Sequence, residues 1–346
     1  SIQINNSEYQ KPNIFKNYFY NESDTIHIKD HEIKSNYKND ELIIDGLGKI
    51  KLEEKFDEIK YKISLKNKDL SVYSQLNLSE LNLNKHEYLN FFFPKLNESI
   101  TLKNQKIEID YNKKGLFLRG VGKVKFSNEF EDLNFNVSKI NDKYNFETKI
   151  DLEKTLFNID FFNFAKKNKL KTQVNISGSY KDAFDLSNIS VIDKNNKLIL
   201  KNILLNKKNQ IKKVDEINLD FFDKQNKQNK ISLKRKKKNE YLVSGLMFNA
   251  DKVIEGLLKT KKNNESKIFN DEFSLILDLK NVYLDNENTV KNLNGNLNIK
   301  DNKVFAANIF GDFDKNKSIK FTINTNSAGE KITTLFSSRA EPLVKR

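Results

Sequence analysis

An internal repeat constrains the fold of this chain more than any other feature of its 346 residues. Residues 44–63 align without gaps on residues 118–137, an offset of 74 residues that we call the repeat spacing. At this offset apolar positions continue to match for about forty positions in all. Looser third and fourth copies follow from Val214 and from Phe273. We therefore expect one continuous repetitive β domain over 1–346, a fragment of a larger protein, with approximate units 44–117, 118–197, 198–272 and 273–346.

Within the repeats, apolar and polar residues alternate with a period of two, as in 70–78, 133–137 and 273–279. This alternation is typical of antiparallel strands with one face in water. Polar clusters that favour turns separate the strands, and Ala, a strong helix former, is scarce at about seven residues. The sequence predicts an all-β fold: an elongated, repetitive antiparallel sheet curved into a trough. A few short helices are expected, at 153–157, 250–258 and 327–336.

The charge balance is strongly basic, with 61 Lys and Arg residues against 47 Asp and Glu residues, a net charge of +14. Nearly all the basic residues are Lys, and Asn is abundant at about 50 residues, a joint enrichment that AT-rich codons produce. Part of the positive charge therefore needs no polyanionic partner. The absence of Cys excludes disulfides, thiolate zinc sites and cysteine nucleophiles. Because the chain begins with Ser1 and has no leader pattern, we expect a fragment or a processed piece.

Two glycine motifs, Gly46-Leu-Gly48-Lys49 and Gly120-Val-Gly122-Lys123, resemble phosphate loops only superficially. A phosphate loop requires Ser or Thr after the Lys and a following helix, whereas these motifs lie inside a β pattern. We interpret them as structural glycines of strands or bulges. His27 and His31 are four residues apart, but the strand pattern around them favours surface histidines over a metal site, and His86 stands alone. No metal or cofactor is predicted.

The one dense basic run, Lys234–Lys238, lies between two apolar strand patterns and is interpreted as a solvated hairpin tip. Binding of nucleic acid or of anionic lipid headgroups is the alternative for this run, and nucleic acid is not expected. Ser177-Gly-Ser179 lacks the frame of a nucleophile elbow, and the carboxylates are scattered over polar positions. We predict no catalytic residue and no enzyme activity.

The remaining candidate is the apolar face of the sheet itself. In a trough this face would bind acyl chains or a partner, whereas in a sandwich or closed core the same face would be hidden, and alternation favours neither arrangement. The candidate lining residues are the alternating apolar positions of the repeats: Leu70, Val72, Leu76, Leu78, Leu133, Phe135, Val137, Tyr144, Phe146, Ile150, Leu152, Phe273, Leu275, Leu277, Leu279, Phe321 and Ile323.

Six blocks, which fall within about residues 40–346, carry a family resemblance: Leu76–Asn84, Tyr241–Ile254, Phe273–Leu279, Val290–Ile299, Ser318–Phe321 and Ser327–Phe336. They are similar to the AsmA-like superfamily of bacterial envelope proteins, in particular its YhdP/TamB-type lipid-transport members. The segment Tyr88–Lys95 departs from the family by lacking a Trp. The N-terminal membrane anchor of the family has no counterpart here, and we expect a missing part of the chain to supply it.

The resemblance implies a non-enzymatic conduit in the periplasm of a Gram-negative bacterium, anchored in the inner membrane in the full-length protein. Phospholipid acyl chains would move along a hydrophobic groove between the inner and outer membranes, without a cofactor, and other envelope proteins would be possible partners. Two other classes remain open from the residues: a structural or adhesive β-repeat protein with a closed core, and a basic β protein that binds polyanions.

Overall fold

The computed structural model describes residues 1–10, 25–85, 89–90, 92–93, 95–207, 210–251, 272–285, 287–300, 303–314, 317–326 and 330–339. The chain is nearly all β over these residues, with a 3-10 helix at Asp160–Phe162. The strands are β1 (Ile2–Gln10), β2 (Thr25–Lys38), β3 (Glu41–Lys51), β4 (Phe56–Lys66), β5 (Asp69–Asn84), β6 (Ser99–Asn112), β7 (Gly115–Lys125), β8 (Phe130–Ile140), β9 (Lys143–Leu152), β10 (Asn158–Ile159), β11 (Phe164–Ala165), β12 (Thr172–Tyr180), β13 (Phe184–Ile192), β14 (Lys197–Leu205), β15 (Ile211–Phe222), β16 (Gln228–Lys237), β17 (Glu240–Asn249), β18 (Phe273–Tyr283), β19 (Thr289–Lys300), β20 (Lys303–Asp314), β21 (Lys317–Thr325) and β22 (Lys331–Ser337).

The chain divides into two compact units. Unit 1 comprises Ser1–Asn158 and Lys166–Lys181, and unit 2 comprises Ile159–Ala165 and Asp182–Arg346. In unit 1, each strand from β1 to β9 pairs antiparallel with the next, and β9 pairs with β12. In unit 2, the strands from β13 to β22 also pair in chain order. The predicted all-β class and its repetitive antiparallel character are confirmed.

One pair of strands in unit 2 departs from the predicted antiparallel pattern. β17 and β18 pair in parallel, with Tyr241 opposite Leu275 and Phe248 opposite Val282. Parallel neighbours require a crossover connection of about a dozen residues or more, because the chain must return to the same end of the sheet. Residues 250–272, between the two strands, provide this length.

The repeat is reproduced in the strand bounds of unit 1. The bounds of β2, β3 and β4 differ from those of β6, β7 and β8 by the repeat spacing at both ends, and the starts of β5 and β9 differ by the same offset. The repeating unit therefore has four strands, and it begins at Thr25, upstream of the segment in which the sequence repeat is evident. The glycine motifs lie within β3 and β7, which confirms their interpretation as structural glycines.

Asn has a role in the backbone conformation of this chain, in addition to the AT-rich codons that favour its abundance. Nine of the thirteen non-glycine residues with positive φ in the described chain are Asn. Asn39, Asn67 and Asn141 lie in hairpin turns, whereas Asn104 and Asn292 interrupt strands at bulges. Asn tolerates the left-handed region better than most residues because its short polar side chain can bond locally. The abundance of Asn thus supports the many tight turns and bulges of the sheets.

The predicted helix at 153–157 is wrong, because this segment contains a bend that follows β9. The carboxylate of Glu131 accepts hydrogen bonds from the backbone N–H groups of Glu153, Lys154 and Thr155, at 2.9, 2.8 and 2.5 Å. These are the donors that the first turn of a helix leaves unpaired. Since a strand residue already satisfies them, the bend is stable without a helix.

The helix predicted at 327–336 is also wrong over its described part, which forms strand β22. Its β-branched residues Ile332, Thr333 and Thr334 favour a strand, and each pairs with a residue of β21. Before this strand, the Oδ1 atom of Asn326 accepts the backbone N–H of Glu330 at 2.9 Å. For the helix predicted at 250–258, Asp251 is helical and residues 252–258 lie outside the described residues.

Candidate functional site

The predicted lining residues of unit 1 lie on one face of its sheet. Strand register connects them: Leu76 of β5 is opposite Ile107, which is opposite Gly120, which is opposite Phe135 of β8. Directly opposed residues share a face, and so do residues two apart on a strand. The same face therefore carries all eleven predicted residues of this unit: Leu70, Val72, Leu76, Leu78, Leu133, Phe135, Val137, Tyr144, Phe146, Ile150 and Leu152. We call it apolar face 1.

The opposite face of unit 1 is mainly polar, although Leu47, Tyr73 and Val121 on it are 43%, 43% and 58% exposed. One cross-strand row on it consists of Lys60, Gln75, Glu108, Arg119 and Asn136. Such a row presents charge and amide groups to water over five consecutive strands. The sheet is therefore amphipathic over the whole four-strand repeat, and the sidedness predicted from the alternation is present in the strand register.

Apolar face 1 is graded from buried to exposed along its strands. Leu78 and Leu152 are 1% and 0% exposed, whereas Leu70 and Tyr111, near the hairpin turns at the other end, are 44% and 45% exposed. Leu70 and Tyr111 adjoin each other on β5 and β6, and Tyr180 on β12, four strands from β6, is also exposed at this end. Exposed apolar residues that adjoin one another on a sheet mark a surface able to bind apolar ligands or partners.

Aromatic side chains close the buried end of apolar face 1. Phe93 stacks on Phe126 with ring centroids 4.3 Å apart, and its ring meets Phe157 edge-on at 5.6 Å. All three side chains are buried. Phe93 belongs to the connection between β5 and β6, which contains the densest apolar run in the sequence, Phe91–Phe93. Phe93 therefore covers one end of the face, whereas the hairpin end is accessible.

The predicted residues of unit 2 also share a face. Leu277 is opposite Gly295, which is opposite Ile309, which is opposite Phe321. This face carries all six predicted residues of the unit: Phe273, Leu275, Leu277, Leu279, Phe321 and Ile323. Phe273 and Leu275 pack against the cluster of Ile203, Val214 and Tyr241, and Leu279 belongs to a second buried cluster with Val282, Val290 and Phe313. We call this surface apolar face 2.

A buried polar side chain recurs at the same place in each repeat of unit 1. Asp30 and Asn104 have positive φ at bulges of β2 and β6. The next residues, His31 and Gln105, are buried, and their Nε2 atoms lie 3.1 Å and 2.8 Å from the carbonyl oxygens of Lys49 and Lys123.

Each of these side chains covers a glycine, Gly48 or Gly122, where a Cβ would overlap the His31 ring or the Gln105 amide. The surface position predicted for His31 is therefore wrong, because the bulge turns its ring onto the sheet. His27 lies in β2 as predicted and is partly exposed, and His86 lies outside the described residues.

Substitution of His31 by Gln tests this equivalence. We expect His31→Gln to change the free energy of unfolding by less than about 1 kcal/mol, because the second copy uses Gln in the same hydrogen bond. His31→Ala is expected to lose about 1–3 kcal/mol, since the Lys49 carbonyl loses its partner and a void opens above Gly48. Urea unfolding followed by circular dichroism measures both changes. Equal destabilisation by Gln and Ala would show that the two bulges are not equivalent.

The tyrosine beside this bulge is also partly buried. The Tyr61 ring lies over Gly46 and 6.1 Å from the His31 ring. Burial raises the pKa of the Tyr61 phenol above its ordinary value, with a smaller contribution from Tyr9. A raised pKa means that the folded state holds the phenol proton to higher pH than the unfolded state does. Any contribution of this pKa difference to the free energy of unfolding is complete below the ordinary tyrosine pKa and is lost as the pH rises through the raised pKa of Tyr61.

Among the described residues, the histidines, serines and basic run considered in the sequence analysis form no catalytic or metal-binding site. No group of three His, Cys, Asp or Glu side chains in the described part of the chain could hold a metal ion. Of the basic run Lys234–Lys238, only Lys238 lies in the hairpin turn before β17, because Lys234–Lys237 belong to β16 and Arg235 pairs with Asp215. Ser177 and Ser179 lie in β12, opposite Glu147 and Asn145.

Sequence reasoning missed the buried carboxylates and the buried polar pair. Asp57 and Glu131 are buried and occupy equivalent positions of the two repeats. Each accepts a backbone N–H from the next strand or from the bend beyond it, that of Ser79 or Glu153 respectively. The alignment of the two copies places Asp57 and Glu131 at the same position, so a shared acidic residue was visible in the sequence. His31 and Gln105 are separated by the same repeat spacing, but they precede the segment in which the repeat is evident, so only the structure pairs them.

Comparison of the chain with models of known protein families, with curated proteins and with solved structures finds no match. Among the described residues, no helix is long and apolar enough to cross a membrane.

Proposed function

We propose that this chain is a non-enzymatic carrier of phospholipid, in which apolar face 1 and apolar face 2 hold acyl chains while the polar faces remain in water. The observation that carries the proposal is the exposure of apolar face 1, which rises from the Phe93 end towards Leu70, Tyr111 and Tyr180. An acyl chain on this surface would be withdrawn from water at about 0.8 kcal/mol per CH₂ group. No covalent chemistry is required of the chain.

The resemblance to the AsmA-like superfamily supports the same proposal and extends it to the envelope. In that setting the full-length protein is anchored in the inner membrane, and the chain conducts phospholipid across the periplasm in partnership with other envelope proteins. The amphipathic four-strand repeat suits this role because each added repeat lengthens the apolar surface without changing its chemistry. The competing class is a structural or adhesive repeat protein whose apolar faces are permanently covered.

Photocrosslinking from two positions of β5 tests the proposal. Leu70 and Tyr73 are exposed to a similar degree, at 44% and 43%, but they lie on opposite faces of the strand. With a benzophenone amino acid at each position in turn, we expect phospholipid adducts from position 70 and at least fivefold fewer from position 73. Lipid extraction and mass spectrometry identify the adducts. Equal adducts from both positions, or none from either, would favour the covered structural protein.

A pair of charge substitutions on β8 provides an independent test. Val137 lies on apolar face 1 opposite Phe146, whereas Ser138 lies on the polar face opposite Asn145. We expect Val137→Glu to reduce the phospholipid that co-purifies with the chain by at least fivefold, because a carboxylate disfavours acyl chains beside it. Ser138→Glu adds the same charge and is expected to leave the lipid content unchanged. Similar lipid contents in the two variants would contradict the proposal.

A further inference from the structure

The polar face of unit 1 carries two lysine pairs that each converge on one phenylalanine ring. The Nζ atoms of Lys29 and Lys51 lie 5.9 and 6.0 Å from the centroid of the Phe56 ring. At the equivalent positions of the second repeat, Lys103 and Lys125 each lie 5.1 Å from the centroid of the Phe130 ring. We call each set of two lysines and one phenylalanine a lysine clamp.

The clamp lysines lack the carboxylate partners that their neighbours have. Lys49 pairs with Asp30 at 3.5 Å, and Lys123 pairs with Asp132 at 3.0 Å. Among the described residues, no ion pair or side-chain hydrogen bond joins any of the four clamp lysines to an acidic group. Glu80 is opposite Lys103 in the β5–β6 register, but the two side chains form no ion pair. Each clamp is therefore a local excess of positive charge.

The charge of a clamp favours an anion. Two ammonium groups attracted to one ring repel each other, and the ring quadrupole offsets only part of this repulsion. Lys51, Lys103 and Lys125 are partly buried, so their stems are held against the sheet. An anion that accepts hydrogen bonds from both ammonium groups removes the repulsion and fills their donor capacity. A phosphate group suits this role because it offers several acceptor oxygens to donors at different angles.

We propose that each lysine clamp binds one phosphate group, as a free anion or as the phosphate of a lipid headgroup. Phe56 and Phe130 lie on β4 and β8, four strand spacings apart, so the two sites are separated by roughly 19 Å on one face. Two such sites on a single sheet allow simultaneous binding to two headgroups of a membrane surface. The clamps lie on the face opposite apolar face 1. Phosphate binding by the clamps therefore does not depend on acyl-chain binding.

The test measures binding of the whole chain at constant ionic strength to two probes: inorganic phosphate, and vesicles of phosphatidylcholine with or without phosphatidylglycerol. The clamp variant neutralises all four clamp lysines: Lys29→Gln, Lys51→Gln, Lys103→Gln and Lys125→Gln. The matched control removes the same net charge from four ion-paired lysines of unit 1: Lys34→Gln, Lys60→Gln, Lys113→Gln and Lys149→Gln. We expect the clamp variant to lose at least tenfold in affinity and the control less than threefold.

The two probes distinguish the source of the phosphate. Binding to inorganic phosphate alone supports a site for the free anion, whereas binding to phosphatidylglycerol vesicles that fails in the clamp variant supports a headgroup site. Phe130→Leu keeps all charges and is expected to weaken binding about threefold through loss of the ring contact. Equal losses in the clamp and control variants, or no binding of either probe by the unsubstituted chain, would overturn the proposal. Neither outcome of this test changes the lipid adducts expected from position 70, so the clamp proposal and the carrier proposal can fail separately.

Discussion

Replacement of Glu131 by Ala is expected to lower the free energy of unfolding by about 3–5 kcal/mol, because three backbone donors lose a charged acceptor. The carboxylate is 4% exposed and accepts the backbone N–H groups of three successive residues, 153–155. Hydrogen bonds to a charged group contribute about 1.5–3 kcal/mol each, and a buried donor left unpaired costs about 1–3 kcal/mol. The sum is reduced because water can enter the bend once the side chain is removed. Urea unfolding of the full chain, followed by circular dichroism, measures the change.

Two control variants define the origin of this effect. Asp57 occupies the matching position of the first repeat and accepts one backbone N–H, that of Ser79, at 2.7 Å. We expect Asp57→Ala to cost about 1–3 kcal/mol, less than Glu131→Ala. Glu129 pairs with Lys154 on the surface, and Glu129→Ala is expected to cost less than about 1 kcal/mol. If Glu131→Ala were no more destabilising than Glu129→Ala, the carboxylate would not hold the bend.

Replacement of Gly295 by Ala is expected to destabilise unit 2 by about 2–4 kcal/mol, through backbone strain and steric overlap together. Gly295 has a φ of +140°, a region that is open to Gly and strained for other residues. A Cβ at this position would also overlap the backbone carbonyl of Asn308 on the neighbouring strand β20, which cannot move without breaking the ladder. Thermal unfolding measures the combined effect.

The adjacent residue supplies the control for this substitution. Asn296 is exposed on the polar face of the same strand, opposite Asn308. We expect Asn296→Ala to change the free energy of unfolding by less than about 0.5 kcal/mol, as is usual for surface positions. A loss from Gly295→Ala that matched the loss from Asn296→Ala would contradict the backbone explanation and indicate that β19 adapts to a side chain.

The sequence was sufficient to predict the features that depend on periodicity. Alternation predicted strands, and it placed Leu76 of β5 and Phe135 of β8 on a common face although β6 and β7 lie between these strands. This works because the side-chain period of a strand is two and the repeat preserves the parity of each position. The turn that joins β16 and β17 after Lys237 follows from the same local chemistry, although Lys234–Lys237 of the predicted tip lie in β16.

Features that depend on contacts between distant residues were not predictable in this way. The 153–157 segment has a helical pattern of its own, but Glu131, on the preceding hairpin strand, captures its backbone donors. The 327–336 segment has a capping-box spacing, but pairing of Lys331–Ser337 with β21 favours a strand. His31 is buried by a bulge whose signal, a positive φ at Asp30, is not visible in a hydropathy pattern. In each case tertiary pairing overrides local preference.

The parallel pair β17–β18 has a consequence for the order in which unit 2 can form. Its other neighbouring strands are separated by two to five residues of the chain, so their contacts close small loops that form rapidly. The β17–β18 ladder instead closes a loop that spans residues 250–272, which carries a larger entropic cost. We therefore expect strands β13–β17 and β18–β22 to form as separate hairpin arrays, and their docking along β17 and β18 to be the slow step in the assembly of this sheet.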